Sequence, residues 1–238
     1  MSQGSILGPL LFLLCVNDLP EVLLSECKLF VDDVKIYCPF TDPSVDFEIL
    51  QEDLSRLFQW SSTWQLGLSR DKCSLLHVNF VHESWLRTGD EMLRSDNVSV
   101  RHLGVIISGD LSWSEHCSAV AVKTTTVVNC ILRTISYGSI SLFRMAFVVY
   151  CRPILEYCAT VWSPSKKADI DCIEQVQRYF TRVAFPKCFP GPYSPDYSVR
   201  LRIFGLQSLE YRRAMFDLYL CYKIVNGSCD IGFHELFS

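Results

Sequence analysis

The sequence predicts an α+β fold, with a mixed strand-and-helix part followed by an all-helical part. Three observations predict it. Residues 27–38, CKLFVDDVKIYC, set two apolar-rich arms around the adjacent pair Asp32 and Asp33, the pattern of two strands joined by a tight turn. From Phe47 the apolar spacing changes from two to three and four, the period of an amphipathic helix. Beyond Trp113 every periodic stretch is helical. The natural boundary falls near residue 110, giving parts 1–110 and 111–238.

Taken in order, Gln3-Gly4-Ser5 reads as a loop entering a helix over 7–16, with Ser5 placed to cap it and Pro9 tolerated in the first turn. Residues 17–26 connect to the Asp-Asp hairpin. After Pro39 and Pro43 a helix begins. Phe47, Leu50, Leu54, Leu57, Phe58 and Trp64 share one face of it, while Gln51, Glu52, Asp53 and Arg56 lie off that face and Trp60 lies outside it. Asp42 or Ser44 caps its start and Gly67 follows its end. Residues 69–72 form a polar turn, and 73–80 (CSLLHVNF) read as a strand. Residues 82–97 are polar and irregular, a loop or loose hairpin. Residues 98–108 read as a strand broken at Gly104, where glycine marks a bulge or the close approach of another chain.

The second part reads as a helix over 114–135, another within 139–162 divided near Pro153, and a third over 169–184 with Ile173, Val176, Phe180 and Val183 at helical spacing. Four prolines (Pro186, Pro190, Pro192, Pro195) make 186–196 a loop. A last helix covers 209–225 and stops at Asn226-Gly227. There is no internal repeat and no low-complexity tract.

The 238 residues are 49% hydrophobic and 13% aromatic, enough for a sizeable core and incompatible with extended disorder. The net charge of −4 conceals an asymmetry: residues 1–119 carry −9 and residues 120–238 carry +5. An acidic half suited to metal precedes a basic half suited to phosphates; a chance segregation of solvated charges is the other reading. The 12 cysteines show no C-x-x-C pair and no Cys/His ligand spacing, which points to a reduced, intracellular protein (cytoplasm or nucleus) without structural zinc. The apolar run 6–16 is too short to span a bilayer and lacks the basic flank of a signal peptide, and the run 140–151 carries Arg144, so no membrane segment is expected.

Asp32 and Asp33 are the candidate chemical residues. Adjacent carboxylates at a strand junction repel each other, and a bound divalent cation relieves that repulsion. A solvated turn is the alternative, since Asp is a common turn residue.

The order of motifs carries a resemblance. The run 3–12 (QGSILGPLLF), then Asn17-Asp18-Leu19-Pro20, then Phe30-Val31-Asp32-Asp33 resemble the reverse transcriptases of non-LTR (LINE-like) retrotransposons. Residues 64–77 resemble that family's helix-to-strand segment with its Lys-Cys pair. His102-Leu103-Gly104-Val105 followed by Leu111-Ser112-Trp113-Ser114-Glu115-His116 resembles its primer-grip strand and the entry to its thumb. Arg152-Pro153-Ile154-Leu155-Glu156-Tyr157, Val161-Trp162-Ser163-Pro164 and Leu209-Glu210-Tyr211-Arg212-Arg213 resemble the helical region after it.

The resemblance implies an RNA-directed DNA polymerase of right-hand architecture, with residues 1–110 as the C-terminal part of the palm and 111–238 as the helical thumb and C-terminal region. It implies Mg2+ as cofactor, with Asp32 ligating both ions and Asp33 as the less direct partner, in two-metal nucleotidyl transfer. It maps Gln3, Gly4 and Ser5 to the loop that meets template and incoming nucleotide, Lys72 to a basic position near the triphosphate, and Leu103-Gly104 to the primer grip. It implies an RNA template, a DNA primer and deoxynucleoside triphosphates as partners. Lys123, Arg133, Arg178, Arg182, Arg212 and Arg213 become candidate phosphate contacts. His77, His102 and His116 have no metal-like spacing and are expected to pack.

Two departures stand out. Met1-Ser2 occupy the place of the family's Gly-x-Pro, and Val31 replaces the more usual Ala. The palm strand bearing the third catalytic aspartate has no counterpart in the sequence. The expectation is therefore a fragment that does not polymerise alone, with an exposed sheet edge beside the hairpin. The competing readings are a non-catalytic nucleic-acid-binding remnant and a relic without function.

Overall fold

The computed structural model describes residues 7–79, 86–88, 91–93 and 98–231. The chain divides into two compact units, Met1–Val98 and Ser99–Ser238. This division precedes the 99–108 segment instead of following it at residue 110. The architecture is α+β, and the described strands form three separate two-stranded antiparallel sheets.

The first unit runs α1 (Leu7–Val16), α2 (Leu19–Val22), β1 (Glu26–Phe30), β2 (Asp33–Tyr37), α3 (Pro43–Trp64), a short 3-10 turn (Arg70–Lys72), β3 (Leu86–Thr88) and β4 (Glu91–Leu93). Strands β1 and β2 pair with Cys27 opposite Ile36 and Leu29 opposite Val34. Because side chains alternate along a strand, these four share one face, and they pack on Val16, Leu19, Leu23, Leu57 and Trp60. Strands β3 and β4 form the loose hairpin expected within 82–97.

Helix α3 buries a different stripe from the one the apolar residues suggest. Leu50, Asp53, Leu54, Leu57, Trp60 and Ser61 are buried, and Trp64 is 47% exposed. Trp60 fits inside because its indole N–H finds Asp18 Oδ1 at 3.1 Å. Asp53, read as a surface residue, is fully buried. Its two oxygens accept the backbone N–H groups of Leu24 (2.6 Å) and Ser25 (3.0 Å), the link that leads into β1. A buried carboxylate is tolerated where both oxygens are hydrogen-bonded.

The strand expected over 73–80 does not form: residues 73–79 have no regular structure, and residue 80 lies outside the described set. A strand needs a neighbour to satisfy its alternating N–H and C=O groups, and none of the described ladders includes this segment.

The second unit begins with β5 (Ser99–His102) and β6 (Val105–Ser108), followed by α4 (Ser114–Thr134), α5 (Ile140–Ala146), a π-helical segment (Phe147–Cys151), α6 (Arg152–Glu156), α7 (Lys167–Cys188), α8 (Tyr197–Phe204) and α9 (Leu209–Val225). The expected broken strand 98–108 is instead a complete hairpin, with His102 opposite Val105. The widened π turn ends two residues before Pro153, whose ring and missing N–H disrupt the preceding α-helical turn. Helix α7 continues through Pro186, so the loop starts later than the prolines suggest.

Helix α8 was not expected. Its V-R-L-R-I run alternates like a strand, but Gly205 (φ +62°) ends it as a helix. The N–H of Leu206 reaches Leu201 O (2.9 Å) and that of Gly205 reaches Arg202 O (3.1 Å), a Schellman cap. The core gathers Phe143, Phe147, Phe180, Phe204 and Trp162 between these helices. Buried Glu174 of α7 joins three elements: one oxygen accepts the N–H groups of Leu209 (2.9 Å) and Glu210 (3.3 Å) at the start of α9, and the other accepts the Tyr197 hydroxyl of α8.

Candidate functional site

The β1–β2 register brings Phe30 opposite Asp33 and leaves Val31 and Asp32 as a two-residue turn. Val31 has φ +54°, while Asp32 is not in the positive-φ region. Positive φ at the first central residue alone is the pattern of a type II′ turn, which favours glycine there. A β-branched residue at that φ is strained by about 1–2 kcal/mol. Such strain clusters where a turn's shape serves a site.

Asp32 sits at the tip and Asp33 opens β2; both are exposed. Alternation puts Asp33, Lys35 and Tyr37 on the side of β2 opposite the packed Val34 and Ile36. Lys35 is a residue that the motif reading missed. Partial burial pulls its ammonium below the usual lysine range, and the Asp33 carboxylate acts in the opposite sense. Its Nζ lies 5.9 Å from the Tyr37 ring centroid. The i, i+2 spacing from Asp33 was the available signal.

The donor set fits a hard cation. Mg2+ binds through one or two carboxylates, waters and substrate phosphates, and the turn presents two carboxylates on adjacent residues. Among the described residues no group of three or more His, Cys, Asp or Glu side chains is placed to hold a metal.

The other sequence-derived positions lie in different parts of the chain. Gln3, Gly4 and Ser5 lie outside the described residues. Lys72 ends the 3-10 turn, exposed, with its N–H on Ser69 O at 3.1 Å. Leu103 and Gly104 belong to the second unit, where they form the β5–β6 turn with φ +45° and +85°. Positive φ at both central residues makes it type I′, so of the two sequence readings of Gly104, a bulge or the close approach of another chain, the bulge gives way to a reverse turn. A Cβ at Gly104 would stand 3.3 Å from Tyr157 Cε1, and the Tyr157 hydroxyl donates to Leu103 O at 3.0 Å. The turn is held from α6's C-terminal side by a tyrosine that its sequence position did not single out.

The six basic residues named as candidate phosphate contacts separate into three groups. Arg212 makes a two-pronged pair with Glu156 at 2.5 and 2.9 Å. Arg213 is buried, donates to Leu155 O at 3.0 Å and lies 5.1 Å from the Trp162 ring centroid. Both hold the fold together and are unavailable at the surface as read. Arg178 is half-buried, 5.1 Å from the Tyr197 ring and 3.9 Å from Asp171. Lys123, Arg133 and Arg182 are exposed. A basic face needs cations not already engaged inside the fold, and sequence alone does not reveal which are engaged.

Residues 1–107 match the family described as reverse transcriptase (RNA-dependent DNA polymerase). The chain is 23% identical over 128 residues to an uncharacterized protein of Caenorhabditis elegans, covering 54% of this chain and 64% of that protein. It is 25% identical over 130 residues to the RNA-directed DNA polymerase from mobile element jockey of Drosophila funebris, covering 50% of this chain and 14% of that one. It is 22% identical over 193 residues to the probable RNA-directed DNA polymerase from transposon X-element of Drosophila melanogaster, covering 76% and 21%. The chain thus spans between 14% and 64% of the length of these relatives. No solved structure matches it. The resemblance read from the motifs is borne out by these matches. All twelve cysteines are free, and among the described residues no helix is long and apolar enough to cross a membrane.

Proposed function

We propose, from the premise that residues 1–107 are a reverse transcriptase segment, that the chain carries one half of the metal site of a retrotransposon RNA-directed DNA polymerase. The observation that carries this reading is the β1–β2 turn: a strained two-residue reversal that projects Asp32 at its tip with Asp33 next to it. On this reading residues 1–110 are the C-terminal part of the palm and 111–238 the helical thumb and C-terminal region. Asp32 is the principal Mg2+ ligand and Asp33 its partner. Bound Mg2+ would activate a primer 3′-hydroxyl and stabilise the leaving pyrophosphate. Lys72 lies near the triphosphate, Gln3, Gly4 and Ser5 near template and incoming nucleotide, and Leu103-Gly104 along the primer. The partners are an RNA template, a DNA primer and deoxynucleoside triphosphates.

The hairpin's own contribution is to present two adjacent, exposed carboxylates on a strand pair whose other face packs in a core. Two carboxylates provide for one ion, and in-line transfer by the two-metal route needs a further ligand. The 238-residue chain by itself is therefore expected not to extend a primer. The test is a chimera in which residues 1–107 replace the matched segment of the jockey polymerase. Mg2+-dependent extension that disappears with Asp32→Asn supports the reading. Extension indifferent to Asp32→Asn overturns it.

A non-catalytic nucleic-acid-binding role is the second reading, favoured by the exposed cations Lys123, Arg133 and Arg182. Salt-dependent binding of an RNA–DNA duplex, together with an inactive chimera, would select it.

A further inference from the structure

Helix α9 turns charged side chains toward the fold and apolar ones toward solvent. Arg212 pairs with Glu156, buried Arg213 donates to Leu155 O, and Asp217 accepts the Ser163 hydroxyl at 3.0 Å. Lys223 is half-buried, with its Nζ 4.8 Å from the Tyr219 ring centroid. Tyr211, Met215, Leu218, Tyr222 and Val225 are each 47–64% exposed. From Tyr211 to Val225 no exposed residue is charged. The solvent face of a helix in a globular protein normally carries its charges, so this face is built to be covered.

Spacing and composition say what covers it. The five residues follow one another at steps of four, three, four and three, the seam of a coiled coil sustained over two heptads. A second helix of the same period fits such a seam. Tyrosine and methionine are enriched, and charges depleted, at the cores of protein interfaces. A helix lying on a membrane flanks its apolar face with Lys and Arg, and a nucleic-acid surface needs exposed cations; the exposed face of α9 provides neither. The seam is also complementary to itself. A two-fold axis at Leu218 sets Tyr211 against Val225 of the partner subunit and Met215 against Tyr222 of the partner subunit, with no like charges facing and the helix dipoles opposed. With Tyr219 beside it, the stripe presents roughly 700 Å², more than the largest apolar patch of a typical monomer, about 300–600 Å². Two copies together offer roughly 1,400 Å², within the range of about 1,200–2,000 Å² that stable specific interfaces bury.

We propose that α9 is the interface of a homodimer, in which it pairs antiparallel with α9 of a second copy of this chain about a two-fold axis at Leu218.

Sedimentation velocity of the full chain over about 1–100 μM tests this, since an interface of this size is expected to hold with a Kd on the order of 10 μM. Leu218→Glu brings like charges together on the axis and is expected to weaken dimerisation about 100-fold. Leu218 is exposed in the single chain, so the urea midpoint measured below the Kd should not move. Tyr211→Lys and Val225→Glu should each weaken the dimer about tenfold, and the double variant should recover the wild-type Kd, because antiparallel pairing sets the two opposite charges against each other. A wild-type chain that stays monomeric at about 100 μM overturns the proposal, whether or not it then co-sediments with anionic lipid vesicles. A dimer that survives Leu218→Glu overturns it too, by placing the interface on another surface. A double variant that dimerises no better than either single one overturns the antiparallel pairing.

Discussion

Replacing Asp53 loosens the hairpin that presents Asp32 and Asp33. Its carboxylate is fully buried on α3 and accepts two backbone N–H groups, from Leu24 at 2.6 Å and Ser25 at 3.0 Å. Those amides stand immediately before β1 and fix how the chain enters it. Hydrogen bonds to a charged acceptor contribute about 1.5–3 kcal/mol each. Leu24 is exposed and Ser25 half-buried, so water replaces part of what is lost and the lower end applies. Asp53→Asn retains one acceptor oxygen and turns an NH2 toward the second amide, removing one bond and adding a donor–donor clash. The expected loss is about 2–3 kcal/mol. In hydrogen exchange followed by mass spectrometry, peptides covering residues 24–37 should exchange roughly 30–150 times faster at that loss, while peptides of α4 and α7 keep their wild-type rates. Unchanged exchange over 24–37, or equal acceleration in both units, would refute the claim that Asp53 anchors β1.

Further outcomes follow from the same geometry. Gly104→Ala must hold φ +85° and place its Cβ 3.3 Å from Tyr157 Cε1, so the denaturation midpoint of the second unit should fall by an equivalent of about 1–2 kcal/mol; an unchanged midpoint would contradict the type I′ turn. Arg212→Ala breaks the two-pronged pair with Glu156 and should cost about 1–3 kcal/mol in urea unfolding, yet leave the salt slope of duplex binding unchanged; a reduced slope would return Arg212 to the phosphate-contacting set. Burial pushes the Cys117 and Cys151 thiols up to about 12 from a reference of 9.0. A raised folded value means that their contribution to stability is complete below pH 9 and is lost as pH rises from 9 towards 12. Denaturant midpoints should therefore drop between pH 9 and pH 11, and Cys117→Ala with Cys151→Ala should flatten that drop. At pH 8 both thiols should resist a thiol reagent that labels the exposed Cys130, Cys158 and Cys221.

Much of this fold is legible in the sequence because local signals and tertiary packing agree there. The 4-and-3 apolar spacing marks α3, α4 and α7, and Asn226-Gly227 ends α9 as a C-terminal stop should. The hairpin is legible from the alternating arms on both sides, but its turn is Val31–Asp32 and not the Asp32-Asp33 tip the sequence suggests: Asp33 pairs with Phe30 and opens β2. What stays hidden depends on partners distant in sequence. Asp53 looks like a surface residue until Leu24 and Ser25 present their amides to it. Trp60 seems off the apolar stripe until Asp18 receives its N–H. The 99–108 segment reads as one strand because Leu103 is a poor turn residue, and only the φ values at Leu103 and Gly104 reveal a reversal. Helix α8 hides behind an alternating V-R-L-R-I run. Arg212 and Arg213 look available for phosphates, but Glu156 and Leu155 O hold them. His116 packs as its spacing suggests, but that it accepts the Ile106 N–H and stacks edge-on to Trp162 appears only once the β5–β6 hairpin is in place.

The central claim is that the Val31–Asp32 turn is a divalent-cation site. Titration of the 15N-labelled chain with Mn2+, a paramagnetic stand-in for Mg2+, tests it most directly. The account predicts selective broadening of amide signals around residues 30–34 that disappears in Asp32→Asn. Broadening centred elsewhere, or broadening at the turn that survives Asp32→Asn, would contradict it.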